Sequence, residues 1–148
     1  MGGYLRRETH ILFGVGTTLF FFRFLRGSLA ELLFMAILGS LFPDLDVRLK
    51  HRVLLHNIFS MLVFLLATAI LLVYSGYTYS TALELSLAGT YSYSTHLLLD
   101  SFTSRGIRLM WPVSNKWFGA RSARYDNPLM NITFSMIGAL LILLEIIR

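Results

Sequence analysis

The sequence predicts an all-α membrane protein, a polytopic bundle of about five transmembrane helices in a single integral membrane domain spanning residues 1–148. Of the 148 residues 55% are hydrophobic and only 14% charged, which is too little polar surface for an ordinary soluble domain. The apolar residues are gathered into five runs separated by polar stretches. We therefore expect each run to form a helix that crosses a bilayer.

The lengths and ends of these runs set the predicted helices. A hydrocarbon core about 30 Å thick needs roughly 20 apolar residues as helix, and fewer where charged ends reach the interface. Pro43 favours an end to the short second run, and Asn127 followed by Pro128 is typical of a capped helix start. The predicted spans are residues 9–25, 29–42, 53–74, 81–99 and 129–147.

Basic residues are distributed unevenly over the predicted connections. With five spans, the amino terminus and the second and fourth connections share one side, which carries ten of the 13 basic residues. The positive-inside rule places that side, and the amino terminus, in the cytoplasm, so we expect a protein of the cytoplasmic (inner) membrane. The net charge of +5 is explained by topology and by contact with lipid head groups, and no nucleic-acid partner is expected.

The longest connection, residues 101–127, combines Trp111, Trp117 and Phe118 with basic residues. Aromatic and basic side chains together favour the membrane interface, so we expect an interfacial segment between the last two helices. Such a segment could cover a site as a lid or serve only as an anchor, and the sequence leaves both open.

All four histidines, together with Asp44, Asp46 and Asp100, fall at the cytoplasmic ends of the predicted helices. His96 and Asp100 are four residues apart and share a helix face, which must point into the bundle because facing lipid is costly. His51 and His56 can face one centre if His51 precedes the third helix and His56 lies one turn inside it. The candidate ligands are His10, Asp44, Asp46, His51, His56, His96 and Asp100.

These polar residues also have a simpler explanation. His96 and Asp100 could pair with each other or with arginines to hold helices together, and two aspartates flanking Leu45 are common in turns. The glutamates at the opposite end serve as a comparison, since arginines near them can act as partners, and we expect them to be structural. They are Glu31, Glu84 and Glu145, with Arg23, Arg26 and Arg148.

The composition of the cluster indicates which metal it would hold. The chain has no cysteine, so a metal must be bound by nitrogen and oxygen. Imidazoles and carboxylates suit a divalent transition metal, zinc first, with manganese or iron as alternatives, and seven donors could hold one ion or two. Such a metal activates water for hydrolysis. Arg52, with Arg105 or Arg108, could bind an anionic substrate group.

The order of these motifs resembles that of a known family. It runs His10, Pro43-Asp44-Leu45-Asp46, His51-Arg52 with His56, His96-x-x-x-Asp100-x-x-Thr103-x-x-Gly106, then Trp111-Pro112. Residues 10–115 are similar to the LexA-regulated, membrane-bound metal-dependent hydrolases, small inner-membrane proteins. The resemblance implies a metal-dependent hydrolase with the seven donors as its polar constellation. This chain departs from the family at Val53, Leu55 and Asn57, where small or hydroxylated residues are expected.

We therefore expect a metal-activated water at the cytoplasmic face to attack a phosphoester or ester of a membrane-associated substrate, such as a phospholipid or another anionic molecule. In this hypothesis Asp46 is a ligand or general base, His51 completes the site, and Arg52 holds the substrate. Two alternatives stay open. One is a metal-independent lipid phosphatase with a histidine nucleophile, and the other is a non-enzymatic metal-binding or transport protein.

Overall fold

The computed structural model describes residues 6–25, 27–46, 53–104, 106–120 and 127–147, apart from the side chain of Asp46. The described residues form five helices and no strand, which confirms the predicted all-α class. Ile107 and Phe118 make one isolated β-bridge. The helices are α1 (Arg7–Phe22), α2 (Leu29–Leu41), α3 (Ile58–Tyr74), α4 (Tyr79–Ser101) and α5 (Pro128–Ile147), with a 3₁₀ turn (Phe42–Asp46) after α2.

Helix α4 lies at the centre of the bundle. It contacts α1, α2 and α3, while α5 packs along α1. Fourteen of the 23 residues of α4 are buried, and many of these carry hydroxyl groups. By contrast, α5 buries only Asn131 and Gly138. The polar central helix is therefore enclosed by more apolar ones.

In the described residues many polar side chains are buried inside the bundle and many large apolar ones are exposed on its surface, which is the reverse of the arrangement in a soluble protein. Leu66, Ile70 and Met136 are 62%, 68% and 65% exposed on the outer faces of α3 and α5. Ser40 and Ser92 are fully buried between α2 and α4, where their hydroxyls lie 2.7 Å apart. Polar groups inside and apolar groups outside are expected where lipid surrounds a helix bundle.

Glycines bring helix backbones into direct contact at two places. A Cβ built on Gly39 of α2 would lie 2.0 Å from the carbonyl oxygen of Gly89 on α4. One built on Gly16 of α1 would lie 2.3 Å from the carbonyl oxygen of Gly138 on α5. No side chain fits at these distances, and such small-residue contacts are a common way for membrane helices to associate.

Two predicted helix ends are confirmed. Helix α2 ends at Leu41, two residues before Pro43. At the start of α5 the Asn127 side-chain oxygen accepts a hydrogen bond of 3.0 Å from the backbone N–H of Leu129, as a capping residue does.

The start of the third helix differs from the prediction. The helix begins at Ile58 because Asn57 caps it, its Oδ1 accepting from the N–H of Ser60 at 2.9 Å. Residues 53–57 belong to the same apolar run in the sequence, but they form bends and are not part of the helix. The prediction that His56 lies one turn inside the helix was therefore wrong, since it precedes the helix by two residues.

Helix length limits what the fold says about membrane crossing. Among the described helices, α5 alone combines the length and apolar composition needed for a span, and α3 is apolar but has 17 residues. Helices α1 and α2 have 16 and 13 residues. Helix α4 has 23, or about 34 Å, but it is rich in polar residues. Helix length and composition thus support one membrane-spanning helix, α5. The arrangement with five membrane-spanning helices is part of the proposed function below.

The end of the bundle opposite the histidines holds structural contacts. Glu31 completes a capping box with Ser28 at the start of α2 and also accepts a hydrogen bond from the Tyr77 hydroxyl. That bond to a carboxylate raises the pKa of Tyr77 above its ordinary value, because it favours the protonated phenol. Arg23 pairs with Glu145 at 2.9 Å and so joins α1 to α5. The other arginines predicted here, Arg26 and Arg148, lie outside the described residues.

Candidate metal centre

Five of the seven predicted ligands meet at one end of the bundle. They come from the first turn of α1, the 3₁₀ turn, the residues just before α3 and the last two turns of α4. They are His10, Asp44, His56, His96 and Asp100. The predicted ligand His51, the side chain of Asp46, and the predicted substrate-binding residues Arg52 and Arg105 lie outside the described residues.

Asp100 lies at the centre of this cluster. Its Oδ1 is 3.5 Å from Nε2 of His10, and its Oδ2 is 3.2 Å from Nε2 of His56 and 3.8 Å from Nε2 of His96. Nε2 of His96 is also 3.6 Å from Oδ1 of Asp44, and its ring stacks on that of His10 with centroids 4.0 Å apart. Three imidazoles from three parts of the chain therefore surround one carboxylate.

The cluster is almost completely shielded from solvent. The three histidines and Asp100 have side chains no more than 3% exposed, whereas that of Asp44 is 16% exposed. Oδ2 of Asp44 faces the exposed Arg7, whose Nε lies 3.4 Å away. A carboxylate as buried as Asp100 is costly unless positive charge lies beside it, and a metal ion held by the surrounding imidazoles would supply that charge.

A main-chain contact orients His96. Its Nδ1 lies 2.7 Å from the carbonyl oxygen of Ser40. Because a carbonyl only accepts, Nδ1 carries the hydrogen and donates it. In a neutral ring this leaves the lone pair on Nε2, which is buried, faces the two carboxylates and has no hydrogen-bond partner among the described residues. This is how metal-binding histidines are commonly held.

The loop that carries His56 is held on both sides. The buried Tyr93 of α4 donates its hydroxyl hydrogen to the carbonyl oxygen of Leu55. The Asn57 amide donates to the carbonyl oxygens of Val53 and Leu54 at 2.9 and 2.8 Å. The small or hydroxylated residues that the resemblance to the metal-dependent hydrolases implies are absent from this loop. In this chain Val53, Leu55 and Asn57 make contacts that fix the backbone on either side of His56.

A polar contact between α1 and α5 supports His10. The Asn131 side-chain oxygen accepts hydrogen bonds from the hydroxyl of Thr9 at 2.9 Å and from the backbone N–H of Arg6 at 3.0 Å. The Ser135 hydroxyl lies 3.1 Å from that of Thr9. Helix α5 therefore secures the turn of α1 from which His10 projects.

The geometry of the five side chains fits a metal ion. One ligand atom from each member of two trios lies within 4.8 Å of the others, the trios being His10, His96 and Asp100, and Asp44, His56 and His96. Two ligands on a tetrahedral zinc with bonds of about 2.0–2.2 Å are roughly 3.3–3.6 Å apart, close to the separations seen here. Most of these separations are too long for good hydrogen bonds.

Residues 106–120 pack against this end of the bundle, and we call them the connecting segment. The bridge between Ile107 and Phe118 folds the segment back on itself, and the backbone N–H of Ile58 donates to the carbonyl oxygen of Leu109 at 3.0 Å. Gly106 has φ +64°, and a Cβ there would lie 2.5 Å from the Phe118 carbonyl oxygen, so only glycine fits. The segment thus lies against the start of α3, two residues after His56.

The supporting residues were the part of the site that sequence reasoning missed. Ser40 supports His96 through its main-chain carbonyl, and a carbonyl contact leaves no signal in the sequence. Tyr93 belongs to the polar stripe that leads to His96. Asn57 was noticed only as a departure from the family, and nothing in the sequence marks Asn131 as a partner of Thr9.

The helices and the cluster together define a class of protein, a helical membrane protein with a buried cluster of histidine and aspartate side chains. A family model described as YdjM inner membrane protein matches residues 5–146. The chain belongs to this inner-membrane protein family. No curated protein and no solved structure matches it significantly.

Proposed function

We propose that this protein is a metal-dependent hydrolase of the inner membrane that cleaves a phosphoester or ester of a membrane-associated substrate. The observation that carries the proposal is the convergence of His10, His56 and His96 on Asp100, with Asp44 beside them. The resemblance of the motif order to the membrane-bound metal-dependent hydrolases supports the same chemistry. The amino terminus and the site face the cytoplasm in this proposal, with five helices crossing the bilayer.

Asp44, His56, His96 and Asp100 would hold the ion, with His10 completing the site. One ion is favoured over two among these donors, because both trios share His96 and its Nδ1 is bonded to Ser40. When bound, the metal makes water acidic enough to act as a nucleophile near neutral pH and polarises a carbonyl or phosphoryl oxygen. Zinc suits this donor set, and manganese or iron are alternatives.

The remaining roles fall to residues around the ion. Asp44 is the most exposed of the five side chains, so we place the entrance for water and substrate on its side. Asp46 follows it by two residues in the sequence and is the proposed general base, and His51 is proposed to complete the site. Arg52 would hold an anionic group of the substrate, because a guanidinium matches phosphate in a bidentate fork.

Non-catalytic metal binding is the second candidate. The near-complete burial of His10, His56 and Asp100 favours it, because a hydrolytic site must admit a substrate. A protein of this kind would retain the metal without turning over any ester or phosphoester. A histidine-nucleophile phosphatase differs from both, since its activity would persist in the presence of chelator.

The test is metal analysis of the purified protein together with hydrolysis assays. We expect about one zinc-type ion per chain, and His96→Ala and Asp44→Asn should each lose most of it, since each removes a direct ligand. The control is Glu8→Gln, which changes an exposed carboxylate two residues from His10 and should leave metal content unchanged. Hydrolysis of short aryl phosphoesters and esters should stop with chelator and return with zinc.

Metal-free wild-type protein would overturn the proposal, as would His96→Ala with unchanged metal content. Full metal content without hydrolysis of any ester or phosphoester would favour the non-catalytic candidate.

A further inference from the structure

An apolar groove lies beside the metal centre, between α3, the end of α4 and the connecting segment. It has a volume of about 210 Å³, and its lining includes Ile58, Met61, Leu97, Leu98, Ile107 and Phe118. Leu97 and Ile107 are buried, whereas Leu98 and Phe118 are 51% and 59% exposed, so the groove opens on the outer surface of the bundle. We call it the side groove.

The side groove and the metal centre occupy neighbouring faces of the same two helical turns. Ser94, Leu97, Leu98 and Ser101 line the groove and are spaced three or four residues apart, so they form one stripe along α4. His96 and Asp100 form the adjacent stripe, because each residue advances about 100° around a helix. On α3 the groove begins at Ile58, two residues after His56. A molecule in the groove therefore ends beside the cluster.

The connecting segment carries a cationic residue between two residues that line the groove. Arg108 stands between the groove-lining residues Ile107 and Leu109, and its guanidinium carbon is 4.8 Å from the ring centroid of Trp117. Nε of Arg108 is buried and has no hydrogen-bond partner among the described residues. Arg108 also forms no ion pair with any of them. An apolar groove next to a residue whose guanidinium has no ion pair among the described residues is complementary to a ligand with a hydrocarbon chain and an anionic head.

We propose that the side groove binds an acyl chain of an anionic phospholipid, with the head group held near Arg108 and the metal centre. The chain enters from the bilayer between Leu98 and Phe118, so the lipid does not have to leave the membrane. The proposal rests on the proposed function for what happens to the head group. Occupation of the groove can be measured without any hydrolysis.

A second apolar groove provides a matched control. It is larger, at about 490 Å³, and is lined by residues at the end of α3 and the start of α4, among them Ile70, Val73 and Leu83. Leu83 is 50% exposed, almost the same as Leu98. It lies 15 residues earlier on α4, or about 22 Å away along the axis. Occupation of this groove would bring no lipid near the cluster.

The first experiment measures occupation. The protein is reconstituted in phosphatidylcholine vesicles with a trace of phosphatidylglycerol carrying a diazirine midway along one acyl chain. After illumination, mass spectrometry should find labels concentrated at Met61, Leu98 and Phe118. Leu98→Trp, which fills the groove, should reduce labelling at Met61 and Phe118 about tenfold, whereas Leu83→Trp should not. The preference over a phosphatidylcholine probe with the same diazirine should disappear in Arg108→Gln.

The second experiment measures use of the groove in hydrolysis. Leu98→Trp should lower kcat/KM for a long-chain phospholipid about tenfold and leave that for a short, water-soluble phosphoester or ester unchanged. Met61→Trp, which fills the groove from α3, should do the same. Unchanged metal content in each variant shows that the cluster is intact.

Each outcome bears on one proposal or the other. Labelling as expected without any hydrolysis supports the side groove and counts against the hydrolase. Labelling at Met61 and Phe118 that survives Leu98→Trp overturns the side groove, whatever the hydrolysis. Equal losses on long and short substrates also overturn it, since the variants would then act on the cluster and not on chain binding.

Discussion

At the scale of single residues, the supports of the cluster are as specific as its ligands. Ser40 and Leu55 contribute main-chain carbonyls, which receive hydrogen bonds from His96 and Tyr93. These contacts fix one imidazole directly and the other through its loop. Groups that orient ligands in this way commonly change metal affinity 10–100-fold when they are removed.

Tyr93→Phe tests this support with little change of shape. Tyr93 packs in an aromatic group with Phe42 and Phe64, so phenylalanine fits and only the hydrogen bond to Leu55 is lost. We expect zinc affinity, measured by competition with a chromogenic chelator, to fall about tenfold. Thermal stability without metal should fall by only about 1 kcal/mol.

The control for that variant is Tyr79→Phe, because Tyr79 is 82% exposed at the start of α4. Equal zinc affinities for both variants and the wild type would show that the Tyr93 contact does not position His56.

The site was predictable where its chemistry depends on side chains. Histidines and aspartates at the ends of apolar runs must turn inward, so the convergence of His10, His96 and Asp100 follows from their positions. Main-chain carbonyl contacts leave no such signal, because every residue has a carbonyl group. The start of α3 was mispredicted for a related reason. The side chain of Asn57 caps the helix and so sets its first residue, although the apolar run in the sequence begins earlier and continues without interruption.

At the scale of helices, α5 acts on the cluster through α1. It contacts α1 through Asn131 near His10, through Gly138 in the middle and through Glu145 at the far end. The aligned contacts hold the two helices in one register. Although α5 contributes none of the predicted ligands, it determines where the first turn of α1 lies.

Gly138→Leu tests this relation. Even a Cβ on Gly138 would lie 2.2 Å from the carbonyl oxygen of Leu12, so a larger side chain must push α5 away from α1. Overpacking of this kind costs about 1–3 kcal/mol. We expect the unfolding temperature in detergent to fall by on the order of 5 °C, with weaker zinc binding because the support of His10 is disturbed.

Ala139→Leu is the matched substitution one residue further on, where the side chain is exposed. It should leave both measurements unchanged. If it lowered stability as much as Gly138→Leu, the loss would come from the added volume in general and not from the α1–α5 contact.

At the scale of the whole molecule, all five described donors and the connecting segment lie at one end, and the contacts of Glu31 and Glu145 lie at the other. The number of helices was predictable from the apolar runs. That the chain is a membrane protein was predictable too, from composition, and the family match agrees with it. Which end faces the cytoplasm rests on charge bias alone and calls for direct measurement.

The absence of cysteine from the chain makes that measurement simple. Asn115→Cys places a thiol on the exposed connecting segment, and Ser80→Cys places one at the opposite end, at the start of α4. A membrane-impermeant maleimide should label Ser80→Cys in spheroplasts and Asn115→Cys only in inverted vesicles. The opposite pattern would place the metal centre on the outer side of the membrane.

The polarity of α4 has a consequence for how the protein is made. A helix with a series of hydroxyl groups around its centre and with His96 and Asp100 in its last two turns enters lipid unfavourably by itself, because polar residues near a helix centre oppose translocon-mediated insertion. Helix α3 is apolar and is joined to α4 by residues 75–78 only. In the five-span arrangement the two would enter the bilayer together as a hairpin, and the carboxylate of Asp100 would be enclosed only when α4 packs against α1 and α2.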